Sequence, residues 1–290
     1  MYKIIKDKKY GYARISPLPS EKEVEEYYKK EFYAKYGSFN DSELKVQKEE
    51  KKFFDSRWED IKRRCIDYFG SIKGRSLFDV GCGYSQALLY FKKNGLAVSG
   101  LEPSTEGATY AKKIGLDVYQ SRIEDFSCIY GKRFDIVLMI NVLEHLRNAA
   151  EILIQLRKDV LKKKGILVID VANEYNDFQV VADKEYKLKS WWFCPPNHIN
   201  YFSHSSLCKT LELCGYKVVV SEASFPIELF LLLGDIYVGN PTLGKICHEK
   251  RVRFEYLMKK HGKGRKLQVF YEALAKLDLG RQIVVYATPR

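Results

Sequence analysis

The chain contains 290 residues, a length typical of one large domain or two small ones. Hydrophobic residues make up 46% and charged residues 30% of it, which excludes a disordered or fibrous chain. The formal net charge of +12 is compatible with a nucleic acid, an anionic membrane surface or an acidic substrate as partner and selects none of them.

No segment predicts export or membrane insertion. The N-terminal residues lack an apolar signal-peptide region, and the most apolar stretch, Phe225–Val238, is interrupted by Glu228, Gly234 and Asp235. The seven cysteines include no C-x-x-C pair. We therefore expect a cytoplasmic protein with reduced thiols, no transmembrane segment and no structural zinc site.

The first 70 residues are predicted to form an N-terminal helical cap. Ser20 and Glu23 have the spacing of a capping box, which predicts a helix to about Tyr36. Its aromatic side chains could cover a cofactor or pack on a sheet, and the sequence favours neither interpretation. A second amphipathic helix is predicted from apolar residues at helical spacing: Phe54, Trp58, Ile61 and Cys65.

A series of strand-length apolar runs alternates with helix-length segments from residue 76 onward. Such near-continuous apolar strands predict a parallel sheet that is buried on both faces. A sixth strand is expected after Gly215, and a last one lies at the C-terminus. The runs are residues 76–80, 96–101, 116–119, 134–140, 165–171, 216–221 and 282–287.

Residues 225–280 separate the last two strands by far more than an ordinary connection. The apolar stripe from Leu267 to Leu277 predicts that this insertion is helical. Within it, residues 241–266 contain nine Lys or Arg and two Asp or Glu. The chain is thus divided into an α/β core at 71–224, a helical insertion at 225–280 and a last core strand at 281–290.

The turn from Asp79 to Ser85 follows the first strand of the core and contains Gly81 and Gly83. Glycines at the carboxyl end of a central strand allow the backbone to approach a cofactor. A dinucleotide fingerprint would need a third glycine where Gln86 stands, and no P-loop pattern occurs. Glu102 ends the next strand, where a carboxylate can accept both hydroxyls of a ribose.

Four successive motifs resemble those of class I S-adenosylmethionine-dependent methyltransferases. They are Phe78-Asp79-Val80-Gly81-Cys82-Gly83, Leu101-Glu102-Pro103-Ser104, Phe134-Asp135-Ile136-Val137 and Asn141-Val142-Leu143-Glu144-His145-Leu146. The resemblance covers about residues 70–222 and the last strand. It implies a Rossmann-like α/β fold with seven strands in the order 3-2-1-4-5-7-6, strand 7 being antiparallel.

The resemblance also implies a site for S-adenosylmethionine, with S-adenosylhomocysteine as product. The two glycines would line the methionine part and Glu102 would bind the ribose. Glu124 or Asp125 would contact the adenine amino group, because Arg122 stands where many relatives have an aspartate. The cofactor-binding residues implied are Asp79, Gly81, Cys82, Gly83, Glu102, Pro103, Ser104, Ile123, Glu124 and Asn141.

The outer segments are similar to a bacterial branch of these enzymes associated with surface-polysaccharide and secondary-metabolite pathways. The segments are Ile15-Ser16-Pro17-Leu18-Pro19-Ser20, Trp191-Trp192 with Pro195-Pro196-Asn197-His198-Ile199-Asn200-Tyr201-Phe202, and Gly280-Arg281-Gln282-Ile283-Val284-Val285. This likeness implies a small-molecule or glycan acceptor, including a nucleotide sugar.

A hydroxyl acceptor benefits from a general base, and histidine is the usual one near neutral pH. His198, in a loop with aromatic neighbours after the fifth strand, is favoured over His145, which could instead bind backbone at a helix start. A tyrosine such as Tyr33 or Tyr201 is the further alternative. No histidine pair has metal-ligand spacing along the chain, so no metal is predicted.

Three readings of function remain open at this point. The leading one is O-methylation of a small molecule or glycan, with N-methylation as a variant. An RNA methyltransferase would use the basic insertion, but no RNA-binding module is recognised, so the nucleic-acid signal is weak. A non-catalytic cofactor-binding scaffold is the third, and the insertion could also make a homodimer contact.

Overall fold

The computed structural model describes residues 2–27 and 50–290. The described chain is organised around one seven-stranded sheet, with a small three-stranded sheet beside it. The strands are β1 (Lys3–Lys6), β2 (Ala13–Ser16), β3 (Ser76–Val80), β4 (Ala97–Glu102), β5 (Asp117–Gln120), β6 (Phe134–Ile140), β7 (Leu161–Ala172), β8 (Asn200–Tyr201), β9 (Tyr216–Ala223) and β10 (Gln282–Pro289).

The α-helices of the described residues lie mostly between these strands. They are α1 (Glu21–Tyr27), α2 (Lys51–Phe69), α3 (Gln86–Lys93), α4 (Thr105–Lys113), α5 (Ala149–Gln155), α6 (Asp177–Tyr186), α7 (His204–Leu213), α8 (Leu229–Leu232), α9 (Pro241–Lys260) and α10 (Gly264–Lys276). Short helical turns occur at Ser127–Ile129, Leu143–His145 and Leu156–Val160.

The large sheet has the order β5-β4-β3-β6-β7-β10-β9. Strands β3 to β7 pair in parallel, whereas β10 pairs antiparallel with both β7 and β9. Counted along the sheet strands alone, this is 3-2-1-4-5-7-6 with an antiparallel seventh strand. The predicted α/β fold is confirmed.

Both faces of the sheet are covered by apolar side chains, as the near-continuous apolar strands predicted. One cluster joins Phe78, Val137 and Leu167 to α5 and α7. The opposite cluster joins Leu77 and Ile136 to α2, α3 and α4. The central strand β3 is therefore packed on both faces, and this packing fixes the position of the turn at its carboxyl end.

The N-terminal segment differs in part from the predicted helical cap. Residues 3–6 and 13–16 form a hairpin, and β2 pairs antiparallel with β8. Ala13 pairs with Tyr201, which lies 188 residues further along the chain, so no local sequence pattern could predict this pairing. Ile15 is buried there against Ile199 and Tyr201, which stabilises the strand conformation.

The remaining part of the cap is helical where the structure describes it. Ser20 and Glu23 form the expected reciprocal bonds, since each backbone N–H donates to the other side chain. The predicted continuation to Tyr36, including Tyr33, lies outside the described residues. Helix α2 buries Trp58, Ile61 and Cys65 against the sheet, so it is part of the core packing.

Residues 225–280 contain α8, α9 and α10 and no described strand. Helix α10 packs beside β9 through Leu267 and Tyr271, both buried. Helix α9 packs on α10. Among the described residues, no helix is both long and apolar enough to cross a membrane.

Candidate active site

The glycine turn after β3 has a backbone that only glycine adopts easily. Gly81 has φ +74° and Gly83 has φ +48°. A Cβ built on Gly81 would lie 2.7 Å from Val142 Cγ2 and 3.3 Å from Ile123 Cδ1. The turn is tied to the neighbouring strand because the N–H groups of Gly81 and Cys82 both donate to the Leu101 carbonyl, at 2.8 and 3.0 Å. Val142 and Ile123 therefore pack so closely on Gly81 that a side chain does not fit there, whereas a Cβ built on Gly83 meets nothing within 4 Å.

Glu102 ends β4 beside this turn and is 5% exposed. Its Oε2 accepts from the Gly83 N–H at 2.8 Å, and its Oε1 accepts from the Ser104 N–H at 2.9 Å. Burial raises its pKa, although these backbone donors favour the charged form. The carboxylate is thus held in one orientation at the position where the sequence placed a ribose ligand.

The remaining residues of the two turns support these groups. Asp79 is 4% exposed, and burial together with the nearby Glu102 raises its pKa to about 8. Cys82 is buried, with its Sγ 3.7 Å from Ser85 Oγ. Ser104 caps α4 by accepting from the Gly107 N–H at 3.1 Å, whereas Pro103 is exposed. The buried side chains of Asp79, Cys82 and Ser104 therefore support the conformation of the two turns.

The segment expected at the adenine lies next to Gly81, because Ile123 contacts the space above that glycine. Glu124 is half-buried and lies 3.9 Å from the Arg122 guanidinium. Glu21, on α1, approaches Arg122 at 3.5 Å and Arg147 at 3.4 Å. Exposed ion pairs of this kind stabilise little, but they place α1 over this edge of the sheet.

Asn141 follows β6 with φ +53°, a left-handed conformation that its N–H stabilises by donating to the Asp170 carbonyl at 2.7 Å. Its side-chain Oδ1 accepts from Gln282 Nε2 at 3.5 Å. The Asp170 carboxylate is 2% exposed and accepts from the Arg57 guanidinium on α2. Arg57 and Asp170 had no role in the sequence analysis, since their contact joins distant elements.

His145 and His198 come together in the fold, with ring centroids 5.0 Å apart at 76°. His145 Nδ1 bonds with the Asn197 carbonyl at 2.7 Å. His198 Nδ1 bonds with both carboxylate oxygens of Glu174, at 2.9 and 3.0 Å. A hydrogen bond at Nδ1 fixes each ring and directs its Nε2 away from that partner. The two histidines that the sequence offered as alternatives form one cluster.

Backbone and amide contacts lock the two chain segments of this cluster. The Ile199 N–H donates to the Glu144 carbonyl at 2.8 Å. The Asn200 side chain donates to the carbonyls of Leu143 and Leu146, at 3.1 and 2.7 Å. The loop with His198 is therefore held against the turn that follows β6.

The pKa values of the two histidines in the cluster are shifted in opposite directions. Burial, with the nearby His198, lowers the pKa of His145 to about 3. Burial alone would lower the pKa of His198 too, but hydrogen bonds with Cys194 and Glu174 outweigh it and raise the pKa to about 10. Burial raises the pKa of Glu144 to about 8. His198 thus carries a positive charge at neutral pH, opposite the Glu174 carboxylate.

The same groups have the donor types of a transition-metal site. One ligand atom each of Glu144, His145 and His198 lie within 4.8 Å of one another, as do those of Glu174, Cys194 and His198. Spacing along the chain did not predict this proximity, because the donors come from three separate loops. Glu144 and Glu174 were missed as site residues, although Glu174 follows the end of β7 just as Glu102 ends β4.

The aromatic residues near His198 are mostly packed inside the protein. Trp192, Tyr201 and Phe202 are 4%, 3% and 1% exposed. Tyr175 contacts both Trp192 and Tyr201, with ring centroids 5.4 and 5.5 Å away. The aromatic residues of this loop therefore pack inside the protein next to His198.

A family model described as "Methyltransferase domain" matches residues 51–221. This range contains the glycine turn, Glu102 and the histidine cluster. The chain belongs to the methyltransferase domain family.

Two curated relatives are similar to part of the chain. The chain is 30% identical over 128 residues to the ubiquinone biosynthesis O-methyltransferase of Actinobacillus pleuropneumoniae serotype 5b, covering 40% of this chain and 54% of that protein. It is 25% identical over 174 residues to the tRNA U34 carboxymethyltransferase of Colwellia psychrerythraea, covering 57% of this chain and 50% of that protein. The chain spans about half the length of the curated relatives it matches.

Solved structures share the fold over most of the chain. A SAM-dependent methyltransferase from Archaeoglobus fulgidus superposes with a TM-score of 0.54 and 18% identity, covering 90% of this chain and 99% of that one. The plantazolicin methyltransferase BamL superposes with a TM-score of 0.57 and 14% identity, covering 92% and 94%. At these identities the similarity is one of fold.

Proposed function

We propose that the protein is an S-adenosylmethionine-dependent methyltransferase that O-methylates a small-molecule or glycan acceptor. The observation that carries the cofactor assignment is the glycine turn, with free space at Gly83, beside the fixed Glu102 carboxylate. A side chain at Gly81 would displace this turn, since its Cβ would meet Val142 at 2.7 Å. A buried carboxylate with two backbone donors is a pre-organised acceptor for two hydroxyl groups.

The residues present fit the cofactor at each of its parts. Gly81 and Gly83 leave backbone for the methionine part, Glu102 accepts from the ribose, and Ile123 offers an apolar contact for the adenine. When bound, S-adenosylmethionine supplies a methyl group already activated on a sulfonium. The protein then has to position the acceptor, exclude water and take up the proton that the acceptor releases.

The cofactor assignment is tested by calorimetry with S-adenosylmethionine and S-adenosylhomocysteine. We expect both to bind, and Gly81→Ala to weaken binding strongly. Gly74→Ala is the matched control, because Gly74 has a similar φ of +76° but nothing within 4 Å of its built Cβ. Absence of binding by either ligand to the wild-type protein would overturn the assignment.

Supporting the oxygen acceptor is the cluster of His198, Glu174, Glu144 and His145 next to Asn141. Once His198 has lost its own proton, it can take up the proton of a hydroxyl, whereas methyl transfer to an already neutral amine would not need such a group. His198 is the residue we propose to face the acceptor, with Glu174 orienting its ring. The likeness of the outer segments to surface-polysaccharide enzymes supports a glycan or nucleotide sugar.

The basic insertion supports a small acceptor better than an RNA. Several of its cations are engaged in ion pairs within the protein, as Lys250 is with Asp235, Lys259 with Asp60 and Arg265 with Asp67. Cations paired in this way contribute less to a phosphate-binding surface.

The acceptor class is tested by measuring S-adenosylhomocysteine release with nucleotide sugars, phenols, amines and RNA. We expect turnover with a hydroxyl-bearing small molecule. If the cluster moves a proton, this turnover should be unchanged after treatment with EDTA. Loss of activity on chelation would favour a metal held by Glu144, His145 and His198 instead. Turnover only with RNA, with a steep salt dependence, would contradict the proposal. Cofactor binding with no turnover on any acceptor would favour the scaffold.

A further inference from the structure

A cavity of about 280 Å³ lies between α2, the insertion helices α9 and α10, and the ends of β7, β9 and β10. We call it the insertion cavity. It is lined mainly by polar and charged side chains, including Arg57, Arg251, Arg281 and Gln268. Its volume is at the small end of the range for ligand pockets, so it suits part of a molecule.

Arg251 differs from the other two guanidinium groups of this cavity because it forms no direct ion pair with a described residue. Its Nε donates to His248 Nδ1 at 3.1 Å, and its guanidinium lies 4.7 Å from the Phe53 ring centroid. No carboxylate of residues 2–27 or 50–290 forms an ion pair with it, whereas Arg57 pairs with Asp170 and Arg281 with Glu228. Burial lowers the pKa of Arg251; Glu255 acts against this, and the positive neighbours Arg281 and Arg57 add to it.

His248 does not neutralise Arg251. Because its Nδ1 accepts from Arg251, that nitrogen is unprotonated. Burial and the charge of Arg251 lower the pKa of His248 to about 4, so the ring is neutral at physiological pH.

The acidic groups around the cavity are already engaged. Asp60 pairs with Lys259 at 2.5 Å, and Glu222 pairs with Arg64 at 2.5 Å. Glu255 accepts from the Tyr271 hydroxyl at 2.8 Å. Each of these carboxylates thus bonds another partner, and Arg251, although attracted by the Glu255 charge, forms no direct ion pair in the described part of the chain.

Gln268 provides a second and independent sign of a missing acceptor. It is 4% exposed and lines the cavity. Its Oε1 accepts from Arg265 at 3.2 Å, but its Nε2 has no hydrogen-bond partner among the described residues. A buried donor without an acceptor costs free energy, and an anion in the cavity would satisfy it.

We propose that the insertion cavity binds an anionic group, a phosphate or carboxylate, of the methyl acceptor, with Arg251 as its anchor and Gln268 as a further donor. A guanidinium matches the paired oxygens of either group. This inference rests on the proposed function for the identity of the ligand, but the anion site itself does not depend on the cofactor.

The cavity lies close to the proposed site of methyl transfer. Asp170 and Gln282 line it, and both contact Asn141, through the Asp170 carbonyl at 2.7 Å and Gln282 Nε2 at 3.5 Å. An acceptor with its anionic group on Arg251 would therefore have its other end near Asn141. The insertion would then select acceptors that carry a negative charge.

The anion site is tested on the full chain without cofactor, by thermal unfolding and calorimetry with inorganic phosphate, pyrophosphate and benzoate at constant ionic strength. We expect at least one of these anions to bind wild-type protein and to raise its melting temperature. Arg251→Gln should weaken that binding about 10-fold or more. Arg253→Gln, an exposed arginine two residues along α9, should leave it unchanged.

The three probes separate phosphate from carboxylate as the bound group. Binding of S-adenosylhomocysteine is measured on the same samples, so that failure of the cofactor assignment and failure of the anion site are distinguished. If Arg251→Gln does not fold, Arg251→Lys retains the charge but loses the forked donor and should bind the anion more weakly. No anion binding by the wild type, or equal binding by Arg251→Gln, would overturn the proposal.

Discussion

At the scale of single residues, the orientation of Glu102 is the feature on which we expect cofactor affinity to depend. Replacement by Gln keeps its size but removes the charge and one of two acceptor oxygens, which now accept from Gly83 and Ser104. We expect Glu102→Gln to weaken S-adenosylhomocysteine binding about 10-fold or more, as measured by calorimetry.

Glu106→Gln is the matched control for this prediction. Glu106 is an exposed acid in the first turn of α4, four residues from Glu102. Equal affinity of both variants and the wild type would show that the Glu102 carboxylate does not bind the ribose.

His198 has a pH dependence that distinguishes its proposed role. A base must be deprotonated before it acts, and the contacts with Cys194 and Glu174 raise the pKa of His198 to about 10. We therefore expect kcat to rise with pH from 7 to 9, and His198→Asn to lower kcat about 10²-fold or more and to abolish this rise.

His261→Asn, at an exposed position at the end of α9, should keep the wild-type profile. A profile that levels off above pH 8 would point to Glu144, whose pKa is about 8. A flat wild-type profile, with kcat retained in His198→Asn, would exclude His198 as the base.

At the scale of elements, the hairpin of β1 and β2 supports the active-site loop through β8. Ile15 is 1% exposed and packs on Ile199 and Tyr201, next to His198. Ile15→Ala leaves a cavity and should cost about 2–5 kcal/mol of unfolding free energy, measured by denaturant titration. Because the loop is then less well held, kcat should fall while the affinity for S-adenosylhomocysteine stays close to the wild-type value.

Ile5→Ala is the control for this element, since Ile5 is 42% exposed in the same hairpin. It should change neither stability nor kcat appreciably. An Ile15→Ala variant with lost cofactor binding would instead mean that the hairpin supports the whole sheet edge.

At the scale of the whole molecule, buried carboxyl groups make stability depend on pH. Burial raises the pKa of Glu222 from 4.5 to about 7, against the attraction of Arg64. A carboxyl whose folded pKa is raised contributes stability below its unfolded pKa of 4.5, and this contribution is lost as pH rises through 7. We therefore expect the unfolding free energy of Glu222→Gln to improve relative to the wild type between pH 5 and 8.

Denaturant titrations at several pH values measure this difference. Glu212→Gln, at a side chain that is 54% exposed, should differ from the wild type by a constant amount. A constant difference for Glu222→Gln as well would show that Glu222 does not titrate in this range.

The fold class, and the two turns that we propose to bind the cofactor, could be predicted from the sequence itself. Alternating apolar runs and helices predict the buried parallel sheet, because each strand must be apolar on both faces wherever helices cover it. Gly81, Gly83 and Glu102 could be identified from the sequence because a turn and a strand end are defined by a few adjacent residues. The order of the strands followed from the resemblance of four motifs.

Only the tertiary structure decided which residues meet at the acceptor side. His145 bonds with the Asn197 carbonyl next to His198, Glu174 from a third loop bonds with His198, and β2 pairs with a strand far along the chain. Arg251 lies over the Phe53 ring because α9 packs against α2, and no local pattern predicts this contact. Long-range contacts and burial set these environments, and both depend on how distant elements are brought together.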